Sequence, residues 1–185
     1  MSGLRLRALA PAAWTLATAL LAVPRPVQAK PQWNAAWETA ICGAGDSLSL
    51  SQLGWCNAVR GDVLFLRETG REVGLGPSLR VGTASFEDLR LDAGLSLLLP
   101  VTESFPIVLD AGPHLRNLKQ PGVFGSVFFG LRSFNHYGSY EMSTGIALTA
   151  ERAFVEGTPS AVWITAHIDG MWLTLPFVFA YNALR

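Results

Sequence analysis

The chain has 185 residues, a length that suits one domain, with 14 basic and 14 acidic side chains and half of its residues apolar. Nothing in that balance supplies the basic patch that nucleic-acid binding requires, so nucleic acid is set aside as a partner. Lysine is scarce after residue 29, where only Lys30 and Lys119 remain, and this hints that much of the outer surface does not face water.

The first 29 residues read as a secretory signal. Arg5 and Arg7 precede an apolar run over 8–23, and Val27-Gln28-Ala29 places small residues where a signal peptidase would cut. The apolar run contains Pro11 and is shorter than the about 20 residues of a membrane-spanning helix, so cleavage after Ala29 is favoured over an uncleaved anchor. Loss of Arg5, Arg7 and Arg25 turns the mature chain, 30–185, acidic.

Beyond residue 30 the pattern is period-two alternation broken by turn residues, the signature of strands. The first three segments, roughly 33–42, 55–67 and 72–84, alternate imperfectly. Cys42 and Cys56 flank the first connection; in an exported chain they are expected to form a disulfide stapling the ends of a long loop, 43–55. The fourth segment is regular: Leu89, Leu91, Ala93, Leu95 and Leu97 share one face, while Arg90, Asp92, Gly94 and Ser96 share the other. In the fifth, Ile107, Leu109 and Ala111 oppose Val108, Asp110, Gly112, His114 and Arg116. In the sixth, Val123, Val127, Phe129 and Leu131 oppose Ser126, Gly130 and Arg132. The seventh sets Tyr140, Met142, Thr144, Ile146 and Leu148 against Glu141, Ser143, Gly145, Ala147, Thr149 and Glu151. The eighth, 162–172, sets Val162, Ile164, Ile168 and Trp172 against Thr165, His167 and Asp169.

These segments predict an all-β fold, an antiparallel up-and-down barrel of about eight strands over residues 30–185. One face is apolar and nearly uncharged; the other mixes small residues with Arg, Asp, Glu and His of both signs. A water-facing wall would be dense in Lys, Glu, Gln and Asn, whereas paired charges suit a narrow lumen and an uncharged face suits lipid. The expectation is therefore a transmembrane β-barrel, closed because lipid offers unpaired backbone no partner. A soluble periplasmic barrel with an internal apolar ligand is the alternative. Phe105, Tyr137, Trp172, Phe177, Phe179 and Tyr181 fall near the expected strand ends, where interfacial aromatics collect. With both termini on the periplasmic side, the turns near Glu68–Arg71, Thr102–Ser104 and Asn135–Gly138 would be periplasmic. The connections at 43–55, 84–88, 117–122 and 153–160 would face outward.

Over residues 33 to about 181 the chain resembles the small eight-stranded outer-membrane barrels of the OmpA/OmpX type, in architecture and not through a motif. Leu95–Val101 and Leu175–Arg185 read like shared text of an exported barrel family of Gram-negative bacteria. The resemblance implies outer-membrane lipid and lipopolysaccharide as surroundings, the barrel-assembly machinery as a partner in transit, and a monomer. Members of that group often end in an aromatic residue used in assembly; this chain ends in Arg185, leaving Phe179 or Tyr181 to serve.

Two constellations could carry chemistry. His136, Ser139 and Glu141 are the one place where those residue types crowd together, the set used by lipid A-trimming barrel hydrolases. His136 and Ser139 are three apart, which in an extended chain points them to opposite faces. The second constellation is the inward set Arg90, Asp92, Asp110, His114, Arg116, Arg132, Glu141, Glu151, His167 and Asp169, read as a salt-bridge network filling a plugged lumen, with a proton or ion path as the functional alternative. Gly74-Leu75-Gly76 lacks the context of a nucleotide loop, and no cofactor or metal spacing is found. The expectation is a structural or surface-interaction barrel without a catalytic site.

Overall fold

The computed structural model describes residues 30–45, 53–134 and 139–184. The expected leader, 1–29, lies outside the described residues, as does the whole expected turn at Asn135–Gly138, His136 and Tyr137 included. Eight antiparallel strands follow in chain order: β1 (Gln32–Ala44), β2 (Leu53–Leu64), β3 (Gly74–Ala84), β4 (Asp88–Pro100), β5 (Pro106–Arg116), β6 (Gln120–Phe134), β7 (Glu141–Ala153) and β8 (Ala161–Asp169). Each pairs with the next, and β8 pairs back onto β1, so the sheet closes into a barrel. Closure leaves no edge strand with unpaired backbone.

The register fixes the barrel's width. A path from Asn34 runs through paired Asp62, Ser78 and Gly94, crosses to Gly112 in the register framed by Asp92–His114 and Leu95–Ala111, and continues through Phe124, Glu151 and Ala161 to return to β1 at Ala44, ten positions beyond its start. Eight strands with that stagger tilt by about 40° and enclose a space that side chains alone can fill. The fit is close enough to need glycine. A Cβ on Gly94 would stand 3.1 Å from the Phe124 ring, and one on Gly145 would stand 2.9 Å from the Phe128 ring, so the two phenyls lie over bare backbone.

Parity divides the residues as expected from β4 onward and extends to β1–β3. Outward strand positions carry Leu, Val, Ile, Met, Phe, Trp, Ala, Gly, Thr and Pro, with Asn57 on β2 and Ser133 on β6; among the described residues the charged outward position is Arg152, at the end of β7. Inward positions carry the buried charges, and the apolar inward clusters are small: Leu64, Leu98, Val108, Phe128 and Ala147 form one, and Ala40, Cys42, Cys56 and Trp163 another. Large aromatics stand at both rims, with Trp33, Phe65 and Phe105 at the end holding the termini and Trp55, Phe86 and Phe154 at the other.

Cys42 and Cys56 form a disulfide between β1 and β2, Cα atoms 6.0 Å apart, and both face inward. Because β1 and β2 run to Ala44 and from Leu53, the first connection is shorter than expected, and the 65–73 connection at the opposite end exceeds it. That second connection takes in Arg67, which the sequence pattern had left on a strand. Tyr140, expected outward, is mostly buried: its hydroxyl lies 3.1 Å from the Ala35 carbonyl and 2.8 Å from Asp169 Oδ1, which draws it against the rim.

The largest departure is at the end of the chain. β8 stops at Asp169, and Gly170–Ala183 is an α-helix, α1. Trp172, Phe177, Phe179 and Tyr181 therefore sit on a helix and not at strand ends. The switch has a local cause: the Asp169 carboxylate accepts from the Met171 amide at 2.7 Å, capping the first turn, and Gly170 lies so close to β1 that a Cβ would be 3.1 Å from the Ala35 carbonyl oxygen.

Candidate functional site

The interior is built from cross-strand pairs. An inward residue on one strand faces its neighbours' inward residues at the same height, so charges far apart in sequence meet. At the end holding the termini, Arg132 donates from Nε to Glu141 Oε2 at 2.6 Å and from both terminal nitrogens to the Asp62 carboxylate. Arg67 reaches inward from the 65–73 connection to the other Glu141 oxygen, and its carbonyl accepts from Gln32 Nε2 at 2.5 Å. Arg67 is fully buried, so a loop side chain closes that end of the lumen.

At mid-height Arg60 donates to Asp110 Oδ1 at 2.9 Å, and Ser96 shares that carboxylate. Arg80 is the hub: its Nε donates to Glu38 at 2.8 Å, and its Nη1 reaches Asp92 at 2.9 Å and Glu151 at 3.2 Å. Above it Arg90 pairs with Glu151 and, at 3.0 Å, with Asp88, while His114 Nδ1 lies 2.5 Å from Asp92 Oδ1. Arg116 is partly open at the far rim and holds Asp88 at 2.6 Å. Trp163 lies inside this group, its ring 4.1 Å from the Arg80 guanidinium carbon and 5.0 Å from that of Arg90. A cation over an indole face in a water-poor site is favourable.

The expected inward residues are thus brought together: Arg90, Asp92, Asp110, His114, Arg132, Glu141, Glu151, His167 and Asp169 are buried, with Arg116 at the rim. Glu38, Arg60, Asp62, Arg67, Arg80 and Asp88 complete the network beyond the expected set: four lie on the irregular strands β1–β3, Arg67 lies in the connection after β2, and Asp88 is the first residue of β4, one step before the expected alternation begins. Parity could have found those on β1–β3: Asn34 and Glu38, Arg60 and Asp62, Ser78 and Arg80 each share the inward face. A space enclosed at mid-height among Glu38, Arg60, Ser78, Arg80, Asp110 and Ser126 measures about 10 Å³, the size of one water.

Of the trio His136, Ser139 and Glu141, His136 lies outside the described residues. Glu141 turns inward and has both oxygens on guanidinium groups. A different Ser–His–Glu set does assemble: Ser143 Oγ lies 2.7 Å from His167 Nε2, and His167 Nδ1 lies 3.2 Å from Glu38 Oε1. The order matches a nucleophile, base and orienting carboxylate. Yet all three are almost fully buried, Ser143 Oγ is also 3.0 Å from Asn34 Oδ1, and Glu38 is bound to Arg80. A nucleophile that no substrate can reach is a structural hydrogen bond.

Asp92, His114 and Glu151 bring three ligand atoms within 4.8 Å of one another, the one such group among the described residues. Arg80 and Arg90 already meet those carboxylates, so a divalent ion would have to displace two guanidinium groups. Asp169 closes the lower end: it accepts from the Ser143 amide and the Tyr140 hydroxyl, both at 2.8 Å, and from Asn34 at 3.2 Å, besides capping α1. Compared with known proteins, the chain matches no family model, no curated protein and no solved structure.

Proposed function

We propose that the chain is an exported barrel of a bacterial outer membrane, with a lumen sealed by ion pairs and a structural or surface-interaction role carried by its connections. One observation carries the reading: the outward strand face holds a single charge, Arg152, while the inward face is dense with charge of both signs. In water that arrangement is upside down, since outward apolar side chains stay exposed while carboxylates and guanidinium groups lose their hydration. In a bilayer it is the arrangement of lowest cost, with lipid meeting the apolar wall and charges neutralising one another inside. The aromatics at both rims fit the two interfaces of such a bilayer. On this reading the termini, 65–73 and 101–105 lie on the periplasmic side. The connections at 45–52, 85–87, 117–119 and 154–160 face outward and are where a partner would be met.

Cell fractionation tests the proposal. Expressed with its leader, the protein is expected in the outer-membrane fraction and is expected to migrate differently on a denaturing gel before and after boiling. A product released by osmotic shock, with no shift on boiling, overturns it.

A further inference from the structure

The barrel accounts for every described element except α1, which needs its own surroundings. From Gly170 to Leu184 there is no charged residue, and Met171, Trp172, Phe177, Phe179 and Tyr181 are all exposed. Exposed apolar residues point all round the axis, and the polar residues are few: Thr174, which turns its hydroxyl back onto the Met171 carbonyl at 2.8 Å, Tyr181 and Asn182, so the helix has no charged face to turn toward water. A helix apolar on every side is stable only inside an apolar medium. Its fourteen residues extend about 21 Å, short of the about 30 Å of a hydrocarbon core, so it does not cross a bilayer.

Its root is fixed. Asp169 caps it while held by Tyr140, Ser143 and Asn34, and Tyr140 in turn meets Trp33 edge-on, ring centroids 4.6 Å apart. Trp33 is an outward rim residue. The helix thus leaves the barrel from the margin of the apolar wall, and the strands it packs against most are β1 and β8.

We propose that α1 is immersed in the periplasmic leaflet of the same bilayer, with acyl chains on all its sides, as a lipid anchor at the barrel's margin. This rests on the reading of the barrel as membrane-spanning. Lipid is the occupant because it covers a helix from every direction without a designed fit; a protein partner or a second copy would have to enclose the helix completely. Continuity with the wall at Trp33 places the helix at the depth where the acyl phase begins.

The test is depth by spin labelling. Cys42 and Cys56 are bonded to each other, so a new cysteine is the reactive thiol. Met171→Cys, Trp172→Cys and Phe177→Cys point in three directions around the axis, and all three side chains are exposed. Ile146→Cys reports the barrel wall and Glu87→Cys a turn. Each variant of the protein is labelled with a nitroxide in phospholipid bilayers, and collisions with oxygen and with a water-soluble nickel chelate are compared. The expected result is an oxygen-to-nickel ratio at all three helix positions equal to that at Ile146 and several-fold above that at Glu87. Nickel access at a helix position while Ile146 reports lipid overturns the immersion. Exclusion of both reagents there, with Ile146 in lipid, also overturns it and shows enclosure by protein. Nickel access at Ile146 itself sinks the membrane barrel, and with it this inference.

Discussion

The two faces of this one sheet are opposite in chemistry: the outward face is apolar with a single charge among the described residues, Arg152, and the inward face is dense with paired charges. Outward, Ile146 on β7 is 63 % exposed and apolar like its neighbours; one residue along the same strand, Ala147 is 2 % exposed and looks into a lumen lined with paired charges. The backbone, hydrogen bonding and strand are the same, and only the direction of Cβ changes. The lesson is that burial here selects charge and exposure selects hydrocarbon, the reverse of a water-soluble core. Each face can be broken separately, and the effects should differ in size and in medium.

The inward face is the more sensitive. Arg132→Met leaves Asp62 and Glu141 short of a cation in a closed interior, and is expected to lower stability by about 3–5 kcal/mol, read from the urea concentration at which the heat-sensitive band disappears. Adding Asp62→Asn should recover part of that loss. If the single variant unfolds at the wild-type concentration, the lumen network is not what holds the barrel shut. On the outward face, Ile146→Arg is expected to cost roughly 2–4 kcal/mol in a bilayer. A position so exposed in a water-soluble barrel would tolerate arginine within about 0.5 kcal/mol, so a neutral result contradicts the membrane reading. Ser143→Ala separates structure from catalysis: it strips a partner from buried His167 and is expected to cost about 1–3 kcal/mol. A serine-directed phosphonate should label the wild type no more than this variant, and labelling at Ser143 would restore the hydrolase reading.

Much of the barrel was legible in the sequence from β4 onward, most clearly on β4 itself, where Leu89, Leu91, Leu95, Leu97 and Leu99 stand outward against inward Arg90, Asp92, Gly94 and Ser96. The first three strands were blurred by small or cyclic outward residues, Ala35, Gly61 and Pro77, and by apolar inward ones, Ala36, Ala40 and Ala58. With contrast lost on both faces, Glu38, Arg60, Asp62 and Arg80 went unread. The Ser143–His167–Glu38 chain could not be read from spacing at all, since it joins β7, β8 and β1 through closure of the barrel. Helix α1 escaped for another reason: an all-apolar helix has no amphipathic period to detect. Its one local signal was Asp169 before Gly170, an N-cap at the point where alternation fails.

The far rim shows a smaller tension. Asn117 and Leu118 both have positive φ, 51° and 56°, in the tight β5–β6 turn, and Ser85 and Phe86 repeat this in the β3–β4 turn. Such turns prefer Asn-Gly, and a bulky residue there costs about 1 kcal/mol. Leu118→Gly is expected to stabilise the isolated barrel in detergent by about that amount. A gain that vanishes in bilayers would show that Leu118 is held there by contact with the interface.

The smallest effect belongs to the opposite rim. Glu72 in the 65–73 connection accepts from the backbone amides of Glu68 at 2.5 Å and Thr69 at 3.0 Å, and these hold its carboxyl below its ordinary value of 4.5. A carboxyl depressed in the folded state contributes stability that is present above its unfolded value and lost as pH falls through the folded one. The side chain is exposed, so solvent screens most of the gain. The expected signature is local: as pH falls below about 4.5, and in Glu72→Gln at neutral pH, the amide protons of Glu68 and Thr69 lose protection relative to their intrinsic exchange rates while the global unfolding midpoint stays put. Because Arg67 leaves the same connection to close the lumen on Glu141, a midpoint that does move would mean that the loop and the charge network unfold together.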